Sequence, residues 1–120
     1  MDKRGLAVAA ALFGLVAVAA GALGVHGFEE AGDPRGARLM TTGSQYQMWH
    51  ALAALLAVSL GARPLAPLLF LGGAVLFSGS LYLLALGAPT LLGIVTPFGG
   101  LAFMAGWAVL AYDLWRRPGS

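Results

Sequence analysis

The sequence contains no cysteine. Disulfides, thiolate metal sites and cysteine nucleophiles are therefore excluded, and the redox compartment cannot be read from cysteine usage. Charge is also scarce. Only 10% of the 120 residues are charged, against about 25% in an ordinary soluble domain. Histidine occurs twice, as His26 and His50, which is too few ligands for a closed zinc site. The net charge is +2. The seven basic residues sit at the ends of apolar runs rather than along one face, so nucleic acid is not an expected partner. No complete catalytic, metal or nucleotide motif is present.

Hydrophobic residues, by contrast, make up 59% of the chain. That exceeds what one small core can bury, so a lipid bilayer must cover the remainder. A chain of this length makes one domain. Four apolar runs stand out within it, over about 5–25, 45–60, 64–86 and 97–115. The first has 21 residues and no internal charge, enough for roughly 30 Å of hydrocarbon at 1.5 Å per residue. In lipid each backbone amide needs an internal partner, so the runs should be helices. The expected fold is all-α: a four-helix transmembrane bundle spanning 1–120. The first run also has the layout of a secretory signal, with Lys3 and Arg4 before it and Ala20-Gly21-Ala22 near its end. It is longer than the roughly 7–15 apolar residues of such signals, and we read it as a retained span.

Turn chemistry marks the boundaries. Asp33-Pro34 is an N-cap followed by proline at the first helical position. It can open a short interfacial helix through Met40 in the first outer loop. Ser44-Gln45-Tyr46-Gln47 fits a capping box at the start of the second span. Ala62-Arg63-Pro64 is a tight turn, and Thr96-Pro97 repeats the cap signal for the last helix. With four spans, Lys3, Arg4, Arg63, Arg116 and Arg117 share one side and Arg35 and Arg38 the other. The excess of basic residues then puts both termini in the cytoplasm. The apolar connection from Gly87 to Thr96 is expected either to fold back as a small lid or to make an ordinary tight turn.

Small residues predict the packing. Ala7, Ala10, Gly14, Ala17, Gly21 and Gly24 follow 3-4-3 spacing on the first helix. Such a stripe lets a second backbone approach closely, which drives helix association in lipid. Leu6, Phe13, Val16 and Leu23 are then left for lipid. Shorter seams are expected at Gly72 and Gly79 on the third helix, and at Gly99, Ala102 and Gly106 on the fourth.

The polar side chains within the spans are lopsided. His26, Gln45, Tyr46, Gln47, His50, Ser78, Ser80, Tyr82 and Thr96 all fall in the outer half. His26, Gln45, Tyr46, His50, Ser78, Ser80, Tyr82 and Thr96 form a candidate polar pocket. Tyr46 and His50 share a helix face, being four residues apart. His50 is expected about one turn inside the membrane, level with Tyr82. An ionisable residue inside a span commonly marks a functional site. It can equally be a structural histidine gluing two helices.

These residues resemble the signatures of a known family. Ala22-Leu23-Gly24-Val25-His26-Gly27, Tyr46-Gln47-Met48-Trp49-His50-Ala51-Leu52-Ala53, Leu76-Phe77-Ser78-Gly79-Ser80-Leu81-Tyr82 and Thr96-Pro97-Phe98-Gly99-Gly100 occur in order along nearly the whole chain. Together they resemble domain-of-unknown-function family 423. That family includes the YgdD-like and YwdK-like bacterial proteins and is similar to the animal transmembrane protein 256 group. Valine before His26 is bulkier than the usual alanine of the family. The resemblance implies four helices and a multi-pass protein of the plasma or bacterial inner membrane. It implies no particular activity.

Three functional readings follow. The first is an accessory or structural membrane protein that acts by helix association, as a homo-oligomer or within a larger membrane complex. The second is a carrier or channel for a small molecule, ion or lipid, with the outer polar residues as its mouth. The third is metal or haem binding through His26 and His50, although no ligand-spacing motif supports it and no cofactor is expected. Catalysis is not expected either. Ser78 and Ser80 lie near a histidine, but no acid within the spans is placed to orient it.

Overall fold

The computed structural model describes residues 1–117. It is built from four helices, each connected to the next by a short turn. The first, α1, runs over Lys3–Glu30, with a π-helical stretch at Ala20–Gly24. Asp2 caps it by accepting from the Gly5 amide at 2.8 Å. The second, α2, spans Pro34–Ser59, with Pro34 in its first turn and Asp33 accepting from the Gly36 amide. The third, α3, spans Leu65–Ala85. A 3-10 turn at Thr90–Ile94 then leads into α4, Val95–Arg116.

Three of these helices end in the same way. Gly32, Gly61 and Gly87 take φ of 73°, 76° and 98°. Each is followed by an amide that bonds back across the last turn: Asp33 to the Phe28 carbonyl, Ala62 to Ala57, Ala88 to Leu83. This is the Schellman arrangement, in which only glycine enters the left-handed region without penalty. The resulting connections are too short for anything but antiparallel neighbours.

The helices pack in series. α1 lies mainly on α2, α2 on α3, and α3 on α4. The molecule is elongated, with extents of 54 × 25 × 22 Å. All four helices meet in one apolar core. Leu6 and Ala10 come from α1, Ala53, Ala54 and Ala57 from α2, Ala66, Phe70 and Leu71 from α3, and Leu110 from α4. Most of these are alanines, so the backbones approach closely, as membrane interfaces require. The outward faces carry Leu12, Leu15, Val18, Leu23, Leu101 and Met104, all more than half exposed. Such a continuous apolar surface is expected where lipid is the solvent. α1, α3 and the helical stretch Thr90–Arg116 are each long and apolar enough to cross a membrane. α2 is 26 residues long, about 39 Å, but it carries more polar groups.

The boundaries differ from the sequence expectation in two places. α1 continues past Val25 to Glu30, which puts His26, Glu29 and Glu30 on the helix. α2 begins at Pro34, eleven residues before Gln45, and absorbs the expected interfacial helix. Ser44 is therefore no N-cap. It lies mid-helix and donates to the Thr41 carbonyl at 3.1 Å, while Gln47 points away toward α1. The helix continues through Gly43, where the Tyr82 ring leaves no room for a side chain: a methyl built there would sit 2.6 Å from that ring. Thr96 is likewise inside α4, behind an Ile94 cap. The Gly87–Thr96 connection is a turn and not a lid, since Leu91 and Ile94 remain largely exposed.

The small-residue stripe of α1 does face α2. Ala10 and Ala17 are buried, and Gly14, Gly21 and Gly24 meet Met48, Ser44 and Met40. Leu6, however, is 1% exposed and belongs to the core rather than to lipid. On α3 the seam runs through Gly73, not through Gly72 or Gly79, whose Cβ positions are open. A shift of one residue turns a helical position by about 100°. Gly73 meets Phe103 and the Gly99 carbonyl, and Gly106 of α4 meets Phe70.

At one end Arg63, in the turn between α2 and α3, reaches Asp113 of α4. Its Nε donates to Asp113 Oδ1 at 2.7 Å, and its backbone amide donates to Oδ2 at 3.3 Å. The Asp113 side chain is 8% exposed, so this bond clamps the turn onto the last helix.

Candidate functional site

The polar residues of α2 and α3 form a chain of hydrogen bonds between helices. Gln47 is its centre. Its Nε2 donates to the Phe13 carbonyl of α1 at 2.7 Å, and its Oε1 accepts from the Tyr82 hydroxyl of α3 at 2.7 Å. One side chain thus ties three helices. Ser78 is fully buried and donates to the Gly43 carbonyl at 2.7 Å. Ser80 donates to the Phe77 carbonyl and shares a hydrogen bond with Thr96, joining α3 to α4.

His50 is held differently. Its Nδ1 lies 2.7 Å from the Tyr46 carbonyl, one turn back. A carbonyl only accepts, so Nδ1 carries the proton. Nε2 then accepts from the Trp107 indole N–H of α4 at 3.1 Å. Both nitrogens of the neutral ring are engaged. The ring also stacks on Phe103, with centroids 3.6 Å apart and planes 8° from parallel. Phe70 and Trp107 flank it, and Tyr46 packs on Phe77 and Trp49. This is an aromatic wedge joining α2, α3 and α4.

Depth separates the two parts. The Ser78–Gly43 bond fixes the register of α3 against α2. The Tyr82 ring lies against Gly43, and His50 is about 10 Å further along α2. The two are therefore not level, contrary to the sequence expectation, because His50 sits seven residues further along α2 than Gly43. Gln47 takes the place expected for His50 beside Tyr82.

His26 stands apart. Its side chain is 77% exposed and lies 3.8 Å from Glu29 on the same helix. Measured from the α1–α2 turn, His26 is about one turn away and His50 more than four, an axial offset of about 18 Å. The two histidines cannot share one metal ion or both faces of one haem. Among the described residues no group of three His, Asp or Glu side chains converges as metal ligands. Gln45 and Tyr46 are on the outside of α2. Their side chains have no hydrogen-bond partner among the described residues, although the Tyr46 ring is packed on one side.

The expected pocket is therefore a closed contact. Gln47, Ser78, Ser80, Tyr82, Thr96 and His50 find partners in the protein, and no buried side-chain nitrogen or oxygen among the described residues is left without one. Two open cavities lie at the ends of the bundle instead. One, of about 550 Å³, is lined by residues such as Glu29, Asp33 and Arg38. The other, of about 500 Å³, is lined by Arg63, Tyr112, Asp113, Arg116 and Arg117.

Three contributors were not legible as site residues. Trp107 sits in the middle of an apolar run, where an indole N–H needs a partner; that requirement was the available signal. Gly43 and Phe103 act through a backbone carbonyl and a ring face, and neither leaves a mark in the sequence.

Comparison with known proteins fits this architecture. A family model described as "Protein of unknown function (DUF423)" matches residues 20–100. The chain is 41% identical over 107 residues to the UPF0382 membrane protein YwdK of Bacillus subtilis, covering 83% of this chain and 87% of that protein. It is 41% identical over 112 residues to a UPF0382 membrane protein of Haemophilus influenzae, covering 88% and 90%. The UPF0382 inner membrane protein YgdD of Escherichia coli K12 is 41% identical over 116 residues, covering 92% and 88%. No solved structure matches the chain. Matching over two thirds of its length, and with apolar helices able to cross a bilayer, the chain belongs to the DUF423 family and is a membrane protein.

Proposed function

We propose that this protein is a non-catalytic structural or accessory subunit of the inner membrane, and that it acts by association with a second copy of itself. One contrast carries the reading. The inward polar groups are paired, whereas Thr42, Gln45 and Tyr46 form an exposed polar stripe on the outer face of α2. By the register above, Gln45 and Tyr46 lie about 10 Å or more inside the outer end of α3. Lipid tails offer no hydrogen bonds at that depth. A carboxamide is both donor and acceptor, so two Gln45 side chains can satisfy each other across a two-fold axis. Such symmetric self-pairing is the usual mode of dimer formation, and interhelical amide bonds act as glue in bilayers.

The absence of native cysteine makes the test clean. A Gln45→Cys variant in native membranes is expected to cross-link to a dimer on mild oxidation. Leu15→Cys, on the lipid face of α1, should not. Gln45→Leu should weaken self-association in a fluorescence-transfer assay by about tenfold, from two symmetric interhelical bonds of about 0.6 kcal/mol each. A monomer in bilayers with no Gln45 cross-link would remove the second copy.

The orientation belongs to the same reading. Antiparallel helices gather Lys3, Arg4, Arg63, Arg116 and Arg117 at one end and Arg35 and Arg38 at the other. The five-to-two bias favours a cytoplasmic location for the first end. Reporters fused at either terminus are expected to be active only in their cytoplasmic form. A periplasmic signal from the C-terminal fusion would reverse the topology.

A further inference from the structure

The clamp between Arg63 and Asp113 leaves positive charge unspent. Arg63 uses Nε and its backbone amide on Asp113, and its two terminal amino groups have no partner among the described residues. Its guanidinium carbon lies 5.7 Å from the centre of the Tyr112 ring, and that of Arg116 lies 5.8 Å from the same ring. Two cations thus share one phenol. Arg117 lines the same cavity without a hydrogen bond or ion pair among the described residues. Among the described residues three guanidiniums line this cavity with a single carboxylate, and that carboxylate is buried and already engaged. The Arg63 and Arg116 guanidiniums both flank the Tyr112 ring, so an anion seated beside it would be attracted by each.

We propose that this cavity binds the phosphate of an anionic phospholipid headgroup. The cavity, about 500 Å³, opens where α4 ends, at the boundary between apolar helix and basic terminus. A phosphate seated there would take paired donors from Arg116 and Arg117 and the free amino groups of Arg63, and guanidinium forks match phosphate oxygens well. The acyl chains would lie along the exposed apolar faces of α3 and α4. Asp113 does not oppose this binding. Its oxygens point at Arg63, where they fix the guanidinium and are shielded by it. Basic pockets between membrane helices are a recurring site for such headgroups.

The test uses the full chain purified in an uncharged detergent. Cardiolipin or phosphatidylglycerol, phosphatidylcholine and inorganic phosphate are each added, and retained lipid is counted by native mass spectrometry alongside the thermal midpoint. Anionic lipid is expected to be retained and to raise the midpoint, with phosphatidylcholine far weaker. The Arg116→Gln/Arg117→Gln variant should lose about thirtyfold in anionic-lipid affinity, at about 1 kcal/mol per arginine. Arg35→Gln/Arg38→Gln, at the opposite end, should retain it. The midpoint of each variant in phosphatidylcholine reports its folding independently of the anionic lipid. Equal binding of phosphatidylcholine, or undiminished binding by the Arg116/Arg117 variant, would overturn the proposal. Stabilisation by inorganic phosphate equal to that by lipid would overturn it in favour of a free-anion site.

Discussion

Gly99→Leu will leave little folded protein, and Gly99→Ala will destabilise the bundle by about 2–3 kcal/mol, the upper range for overpacking a tight core. The reason is the identity of the neighbour. A Cβ on Gly99 would overlap the Phe77 backbone nitrogen, with the Phe77 Cα 2.8 Å away and its side-chain Cβ 2.7 Å away. A side chain could rotate aside, but the α3 backbone cannot move without parting from α4. That movement would also pull the Phe103 ring off His50 and out of its seat against Gly73. Gly72→Ala is the internal control. Its Cβ position is open, so the change should be neutral or stabilising by a few tenths of a kcal/mol, through the lower entropy of the unfolded helix. Equilibrium unfolding in mixed micelles measures both. Equal stability of the Gly99 and Gly72 alanine variants would mean that α3 and α4 are not in van der Waals contact there.

Gln47→Leu is expected to cost about 2–4 kcal/mol while roughly preserving side-chain volume. Two interhelical hydrogen bonds are lost, each contributing about 0.6 kcal/mol in bilayer proteins. The Tyr82 hydroxyl is then stranded between helices, adding about 1–3 kcal/mol for an unpaired polar group. Tyr82→Phe removes that stranded group. The double variant Gln47→Leu/Tyr82→Phe should therefore be more stable than the sum of the two single changes implies, by about 1 kcal/mol in a double-mutant cycle. Strict additivity would show that the 2.7 Å contact contributes nothing. Because Gln47 also holds the Phe13 carbonyl, α1 should become more accessible to protease or labelling in the single variant.

The sequence revealed the parts of this fold that local chemistry decides. The turn at Ala62-Arg63-Pro64, the limits of α3 and the small-residue face of α1 all follow from proline, glycine and spacing. The start of α2 did not. Thr41-Thr42-Gly43-Ser44 has the composition of a loop, and Ser44 with Gln47 has the pattern of a cap. Tertiary contacts overrule both, because Tyr82 needs Gly43 to be small and Ser78 needs its carbonyl. The three terminal glycines, at 32, 61 and 87, were visible as glycines but not as helix stops, since the positive φ appears only with the backbone. At the site, His50, Ser78, Ser80, Tyr82 and Thr96 find partners in the protein, whereas the side chains of His26, Gln45 and Tyr46 lie outside these bonds, and the pairing differs from the expected one. Placing His50 beside Tyr82 assumed a late start for α2, and the earlier start moves Gln47 into that position. Trp107 and Phe103 escaped notice because apolar runs contain many residues of their kind.

The composition of α2 bears on how the chain enters the membrane. Alone in hydrocarbon, this helix would leave the Gln47 carboxamide and the His50 Nε2 with nothing to bond, at several kcal/mol for each unmatched group. α1 and α3 supply both partners of Gln47, and the Schellman turns at Gly32 and Gly61 bring them alongside within a few residues. Translocation machinery would therefore meet α2 as the middle strand of a three-helix cargo, admitted on the strength of its companions.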